Sequence, residues 1–574
     1  MQVLGINTGH DASVALVRDG IFVEVVNEER FSRYKNHHGF PNRSVAYIKK
    51  KYQIDSFGRV VLVSANGRYD TPLFGDKENE ALRKRTGEPL FIKAVFFKLG
   101  LLQVWRNVRY WFHIRFKQPA LRKEINGLIR KHFPTEEIIH MDHHLAHAWS
   151  ALAFTEQPEE ALIITLDGEG DGLCGSVNRY KNNGLCQEIA IPAGVGIGTL
   201  YGKVTEFLGM RRNEHEFKVM GLAPYAKSDA AETFLAHLRS LISFSPKSLS
   251  FSTPFHMQYA KYFFMSKTFS NYRFEALASG IQKFTEELVT QFLKAILDEY
   301  PSKHVCVGGG VFMNIKLNQV IQRNFPDIDL AFTPSCGDDS LSIGAAKYGY
   351  DTAVNGYTKR IETLYLGSEY TDEEIGTTLK EFSDRDFEIR HFLTDSEIEA
   401  EVSRLLAEGH IVARFAGRME WGSRALGNRS ILANPSDPRI IRKINEAIKN
   451  RDFWMPFAPT ILDEVADEYL MEPKASPFMM VGFETTPLAR EQIPAALHQY
   501  DFSCRPQILK KDDNPEFHHL VSLFKKRTGI GAVLNTSFNL HGSPIVEDPK
   551  TAITTFTQCG LTHLAIGNYL LVKV

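Results

Sequence analysis

No run of about 18 apolar residues occurs in this 574-residue sequence, so no segment reads as a membrane-spanning helix. The N-terminus, MQVLGINTGHDAS, lacks a basic stretch followed by an apolar one, which argues against a secretory leader. Cysteine is scarce and scattered: Cys174, Cys186, Cys306, Cys336, Cys504 and Cys559 form no C-x-x-C pair. That excludes a zinc ribbon and a disulfide scaffold, and a reducing cytoplasm fits best. Nor does one sign of charge dominate. The 67 Lys and Arg offset 68 Asp and Glu, so no global field draws the protein to nucleic acid or to an anionic membrane.

What is present is ordinary globular material. Hydrophobic residues at 43% and charged residues at 24% leave no place for a disordered or collagen-like chain. The length exceeds what one core usually serves, so two or three domains are expected.

The chain opens with three short apolar runs (Val3 to Ile6, Ala12 to Val17, Ile21 to Val26) separated by Gly/Asp turns, a three-stranded meander. The same grammar returns at Ala161, with ALIITL, a strand around Cys174 to Val177, and Gln187 to Ile191. Two copies predict an internally duplicated, two-lobed α/β unit, the architecture of actin-like and sugar-kinase-like (ASKHA) folds. A helical, basic, aromatic insert interrupts it near 83–131. It reads either as a solvated helix packing its aromatics on a lobe or as a lid. Helical text over Phe274 to Leu297 leads to the strand HVCV, the turn Gly308-Gly309-Gly310 and a helix from near Asn314. After a polar stretch a Thr371/Glu374 capping box starts new text. The predicted domains are 1–355, and 363–574 as a second α/β domain.

Several clusters bear chemistry. Asp142 is placed to cap a helix on which His143 and His147, one turn apart, share a face suited to a metal, while His144 points elsewhere. Three ordinary helix histidines are the alternative. Asp167, closing ALIITLD, and Asp338 can complete the set, and two His with two Asp suit Fe(II), Mn(II) or Zn(II). His10, in a Gly-His-Asp turn, titrates near working pH and is a candidate general base, or a turn histidine with its needs met. The Gly308-Gly309-Gly310 turn can cradle a nucleotide phosphate or ribose at a helix start, or be a tight turn only.

The Gly417 to Ser430 block mixes glycines and arginines, as close backbone approach to an anion with guanidinium contacts requires. Lys449-x-Arg451 and Ser537-x-Asn539 each put two polar side chains on one face if the backbone is extended. With Arg424 and Arg505 they make an anion pocket.

These motifs together resemble the O-carbamoyltransferase family of nodulation-factor, cephamycin and aminoglycoside type. The residues that carry the resemblance are Gly9-His10-Asp11-Ala12-Ser13, His143 to Ala148, Lys218-Val219-Met220-Gly221-Leu222-Ala223-Pro224-Tyr225, the Gly417 to Ser430 block and Asn535-Thr536-Ser537-Phe538-Asn539. The resemblance implies an actin-like carbamoyl-transfer domain followed by a YrdC-like domain that forms carbamoyl-adenylate from carbamoyl phosphate and ATP, the latter with Mg. It implies Arg424, Lys449, Arg451, Arg505, Ser537 and Asn539 as the anion and ATP contacts, with Lys449 and Arg451 catalytic. It also implies Gly308, Gly309, Gly310 and Asn314 for nucleotide in the first domain, and His10 as base. An Fe(II)-like ion on His143, His147, Asp167 and Asp338 would anchor the carbamoyl group. A hydroxylated small molecule or sugar is the implied acceptor; a homodimer is one assembly open to the chain, and composition and charge point to the cytoplasm and away from membrane and nucleic acid. Three positions depart from the family. Ser423 replaces a usual proline, Met455 a usual arginine, and Gln499-Tyr500-Asp501 a usual His-x-Asp, the last two bearing on the carbamoyl-phosphate pocket. The same domain pairing serves tRNA threonylcarbamoylation and hydrogenase maturation. A catalytically degenerate actin-fold binding protein is the reading from outside enzymology.

Overall fold

The computed structural model describes residues 1–63, 122–123, 125–127, 129–130, 133–156, 159–257, 272–382 and 387–573. The basic insert expected near 83–131 lies, but for a few positions after 121, outside the described residues.

The opening meander forms β1 (Gln2–Asn7), β2 (Ser13–Arg18) and β3 (Ile21–Asn27), joined by β4 (Phe57–Val63) and β5 (Thr135–Met141). Their order is β3-β2-β1-β4-β5, antiparallel through β3-β2-β1 and parallel through β1-β4-β5. The second copy repeats it. β6 (Glu160–Gly170), β7 (Leu173–Lys181) and β8 (Gly184–Pro192) form the meander; after a small hairpin, β9 (Ser243–Ser245) and β10 (Ser250–Ser252), the parallel strands β11 (His304–Gly308) and β12 (Asp329–Phe332) complete β12-β11-β6-β7-β8. Two sheets of the same order in one chain are the duplicated architecture of actin-like folds.

The near-continuous apolar runs of β1 and β6 follow from burial on both faces. Along β1, Val3 enters the core between the sheets while Leu4 and Ile6 enter an outer core. Along β6, Ile163 joins the shared core, and Leu162, Ile164 and Leu166 join another. Helices His143–Leu152 and Leu341–Val354 fill the shared core. They approach so closely that a Cβ on Gly344 would lie 1.9 Å from the Ala146 carbonyl oxygen. Glycine is needed there for want of space.

The C-terminal part is one mixed eight-stranded sheet. It comprises β13 (Phe387–His391), β14 (Val412–Phe415), β15 (Arg429–Ala433), β16 (Ala458–Leu462), β17 (Gln507–Leu509), β18 (Ala532–Ser537), β19 (His563–Ile566) and β20 (Tyr569–Lys573), in the order β13-β20-β19-β14-β15-β18-β16-β17. The Thr371/Glu374 capping box is present. The connecting stretch is tied down: Lys359 N–H donates to Gly20 O, Ile361 N–H to Ala153 O, and Gly367 N–H to Met419 O.

Candidate active site

β5 runs into Asp142, whose extended backbone starts the helix His143–Leu152. The one-turn spacing brings His143 and His147 together, with their Nε2 atoms 3.2 Å apart. β6 delivers Asp167 at its C-terminal end, and Asp338 opens the turn before helix Leu341–Val354. Asp167 Oδ2 lies 3.1 Å from His143 Nε2 and 3.5 Å from His147 Nε2, and Asp338 Oδ1 lies 3.5 Å from both. Donors bound to one ion at about 2.0–2.2 Å stand about 3–3.5 Å from one another. The four residues therefore fit a divalent ion.

The electrostatics agree. Burial opposes charge on His143, yet Asp338 and Asp167 outweigh it and push the imidazole up to about 9. Asp167, despite its own burial, is held well below the carboxylate range by the two histidines. A site that binds extra protons this firmly has the field to bind a cation. His144 turns away, its Nδ1 2.9 Å from Thr165 Oγ1, and burial pushes it down to about 3.

His10 stands beside this cluster. Asn7 Nδ2 donates to both His10 O and Asp338 O, tying the first turn to the ligand-bearing one. His10 Nδ1 lies 2.6 Å from Asp11 Oδ2. Burial works against its charge, but Asp11, with Asp338 and Asp167 beyond, raises it to about 9. Of the glycine turn, Gly309 takes φ +93° and Gly310 N–H donates to Asp167 Oδ1 at 3.3 Å. Asn314 caps the next helix, accepting from Leu317 N–H, and donates to Gln282.

The second cluster forms where β15 pairs β18, Ser430 opposite Ser537. Lys449 is not on extended backbone, as the pair spacing predicted. It closes a helical turn, Asn445–Lys449, and Asn450 reverses the chain at φ +42°. Lys449 and Arg451 still reach the same strand. Lys449 Nζ donates to Ser537 Oγ at 3.2 Å and Asn539 Oδ1 at 2.7 Å, and Arg451 donates to Thr536 Oγ1 at 3.0 Å. Ser537 Oγ donates to Asn539 Oδ1 at 2.6 Å.

Four cations act on one another here. Burial and Arg424 push Arg451 down to about 10; burial, Arg424 and Arg451 hold Arg505 well below its ordinary value; burial, Arg451 and Lys35 do the same to Lys449. Burial takes Arg424 down to about 10 against the pull of Asp339. The Nε atoms of Arg424 and Arg505 are buried without a hydrogen-bond partner. Repelling cations with unused donors make a pocket for an anion.

Both parts of the chain match known families. The family pattern "Carbamoyltransferase N-terminus" matches residues 2–347, and "Carbamoyltransferase C-terminus" matches 403–573. The chain belongs to the carbamoyltransferase family. It is 28% identical to nodulation protein NolNO of Sinorhizobium fredii over 98% of this chain and 79% of that one. It is 24% identical to nodulation protein U of Bradyrhizobium diazoefficiens over 96% and 94%, and 31% identical to an uncharacterised protein of Methanocaldococcus jannaschii over the whole of both chains. Among solved structures, the activator of 2-hydroxyisocaproyl-CoA dehydratase from Clostridium difficile with bound ADPNP covers 62% of this chain and 96% of its own at TM-score 0.33 and 12% identity. Full-length HypF in its phosphate- and nucleotide-bound form covers 62% and 47% at TM-score 0.33 and 12% identity. The protein is a transferase of carbamoyl groups. Among the described residues no helix is long and apolar enough to cross a membrane.

In this carbamoyltransferase the two clusters abut. Gly422 packs so closely on the turn bearing Asp338 that a Cβ there would lie 3.0 Å from Ser335 Cβ. Arg30 donates to Gly422 O at 2.7 Å, and Arg33 donates to Pro544 O and Ile545 O. Met455, nine-tenths buried, sets its sulfur 3.4 Å from where a Gly221 Cβ would be, and Trp454 donates to Lys218 O. The sequence reading passed over His498. Its Nε2–H donates to Gly221 O at 2.8 Å and its Nδ1 is 3.1 Å from Asp501, so His498 rather than position 499 supplies the imidazole beside that carboxylate. Lys35 and His38 were missed too. Lys35 acts on Lys449, and His38 meets His10 edge-on at 4.5 Å. Their irregular loop has no periodicity to mark them; the run NEERFSRYKNHHGF is the signal available.

Asp501 also pairs with Lys316 at 2.6 Å, across from the N-terminal part. Burial alone would raise its pKa, but His498 and Lys316 hold it far below the carboxylate range. A depressed folded-state value contributes stability above the unfolded value near 4, lost as pH falls below it. Asp501→Asn is expected to destabilise by about 1–3 kcal/mol at pH 7, and the difference should shrink steadily as pH falls below about 4. Urea unfolding across pH measures it.

Proposed function

We propose that the protein is an ATP-dependent O-carbamoyltransferase. In the C-terminal part, residues 363–574, water takes the phosphoryl group of carbamoyl phosphate, and the carbamate oxygen so freed displaces pyrophosphate from the α-phosphate of ATP. Carbamoyl-adenylate results. Arg424, Arg451 and Arg505 bind the phosphates of carbamoyl phosphate and ATP, and Lys449, fixed by Ser537 and Asn539, neutralises charge developing on the leaving phosphate. In the N-terminal part, residues 1–355, an acceptor hydroxyl attacks the carbamoyl carbon and AMP leaves. His10 takes the hydroxyl proton in its neutral form: with Nδ1–H given to Asp11, Nε2 then accepts one. Because Asp11, against burial, raises the imidazole to about 9, transfer is expected to rise with pH toward that value. Gly308 to Gly310 offer backbone to the adenylate, with Asn314 at the helix start.

His143, His147, Asp167 and Asp338 would hold a divalent ion, Fe(II) in first place with Mn(II) or Zn(II) as alternatives, which when bound supplies a Lewis acid beside the transferred carbonyl. The acceptor is a hydroxylated small molecule or sugar. The observation that carries the reading is the converging set of buried Lys449 and half-buried Arg424, Arg451 and Arg505, placed against the turn that bears Asp338. Mixing the protein with carbamoyl phosphate, ATP and Mg tests it. Pyrophosphate release that depends on carbamoyl phosphate is expected, and its absence rejects the scheme.

Met455 bears on the affinity of the first step. If an anion contact is missing there, Met455→Arg restores a charged hydrogen bond, and the carbamoyl-phosphate KM is expected to fall about tenfold or more with little change for ATP. A level or rising KM in a folded variant would show that Arg451 or Arg505 already fills the role.

A further inference from the structure

Glu420 stands at the head of the loop that carries Arg424, and its side chain is buried. Its Oε1 accepts three backbone N–H groups: Leu426 at 2.8 Å, Asn428 at 2.7 Å and Arg429 at 3.2 Å. The loop's flanks are tied by other bonds: Ala416 N–H to Asn428 O, Met419 N–H to Ser368 O, and Trp421 N–H to Leu364 O. Between those ties the chain reverses at Gly422 and Gly427, with φ +97° and +117° on either side of Arg424. One carboxylate oxygen thus gathers the inward N–H groups of the loop's returning limb.

The other oxygen, Oε2, is buried with no hydrogen-bond partner. Glu420 lines a small, partly open cavity between the two parts of the molecule, with Asn27, Arg30, Ser368, Trp421 and Glu547 among the other lining residues. Asn27 Oδ1 and Trp421 Nε1 are also buried without a partner, while the Ser368 hydroxyl faces the Glu547 carboxylate. The space open to the centre of a water-sized occupant is about 10 Å³, about enough for one water molecule. One indole donor and two oxygen acceptors complement a water molecule, which donates two hydrogen bonds and accepts one here. An indole N–H among the lining groups weighs against a cation.

We propose that Glu420 is the positioning residue of the arginine loop, and that one bound water, shared with Asn27 and Trp421, satisfies its second oxygen and locks the loop to the N-terminal part. Glu420 does not touch substrate. It sets where Arg424 stands, and its effect on activity rests on the anion-pocket reading above. Asn27 extends the link, because it ends β3 and its amide reaches toward Asp339, next to Asp338.

The test uses the full chain. In Glu420→Ala, hydrogen exchange at the amides of Leu426, Asn428 and Arg429 is expected to quicken about tenfold or more, and Glu420→Gln, which keeps an acceptor oxygen, to fall between it and the parent. Binding of inorganic pyrophosphate, followed by calorimetry, is expected to weaken about tenfold in Glu420→Ala and to recover in part in Glu420→Gln. Unchanged exchange at the three amides overturns the positioning role. Quickened exchange with unaltered pyrophosphate binding upholds the role and overturns instead the anion-pocket reading. If Glu420→Ala does not fold, Glu420→Gln carries both comparisons against the parent. A crystal structure with rubidium present decides the occupant: a peak without anomalous signal within hydrogen-bond reach of Glu420 Oε2 and Trp421 Nε1 supports water, and an empty cavity or a rubidium peak overturns it.

Discussion

Lys449→Ala is expected to stop pyrophosphate release from ATP while leaving transfer from supplied carbamoyl-adenylate at the parent rate. The ammonium is held at three points, Ser537 Oγ, Asn539 Oδ1 and the backbone of that strand end. Burial, with Arg451 and Lys35, makes its charge costly there. A charge kept at such cost has a counterion when the enzyme works, and a phosphate is the anion that the proposed reaction brings. Losing a positioned charge in a water-poor pocket costs about 3–4 kcal/mol at the transition state, on the order of 10²- to 10³-fold in rate. His10→Ala should do the reverse, sparing pyrophosphate release and abolishing transfer. Equal loss of both half-reactions in His10→Ala would show that the two parts do not divide the work.

The duplicated sheets were legible in the sequence because each strand leaves its own mark. β1, β2 and β3, and again β6, β7 and β8, are apolar runs cut by Gly and Asp turns, a local pattern that burial on both faces demands. The His143/His147 pair was legible for the same reason, since an i,i+4 spacing on a helix fixes two side chains on one face. Asp167 and Asp338 are 171 positions apart and came from placing strand ends together, which only the duplication justified. What remained hidden depends on distant packing. Nothing local in Lys449-Asn450-Arg451 tells that Asn450 turns left-handed, so the spacing was read as extended. Glu420 looks like an ordinary charge in a glycine-rich run until Leu426, Asn428 and Arg429 fold back on it. His498 was displaced by one position because motif alignment counts residues, whereas Asp501 meets the imidazole across a turn of three.

Metal content is expected to fall from about one ion per chain to none in the double variant His143→Ala, His147→Ala, with transfer from supplied carbamoyl-adenylate lost and pyrophosphate release retained. The argument is one of geometry. Four donors converge from three elements to within 4.8 Å of one another, and removing an outer partner of a metal ligand already costs about 10- to 100-fold in affinity, so losing two ligands leaves no site. The variant should also be less stable. Asp167 is kept ionised against its burial by these two imidazoles, and without them it must either bind a proton or remain an uncompensated buried charge. Its depressed folded-state value contributes stability above the unfolded value near 4, so the loss should be full at pH 7 and shrink below about pH 4. Elemental analysis gives the metal, and urea unfolding at two pH values gives the stability. Should the double variant not fold, Asp338→Asn serves, because Asp338 lies on a turn at the edge of the cluster and its amide keeps the shape. A folded variant of either kind that retains its full metal content would place the ion elsewhere.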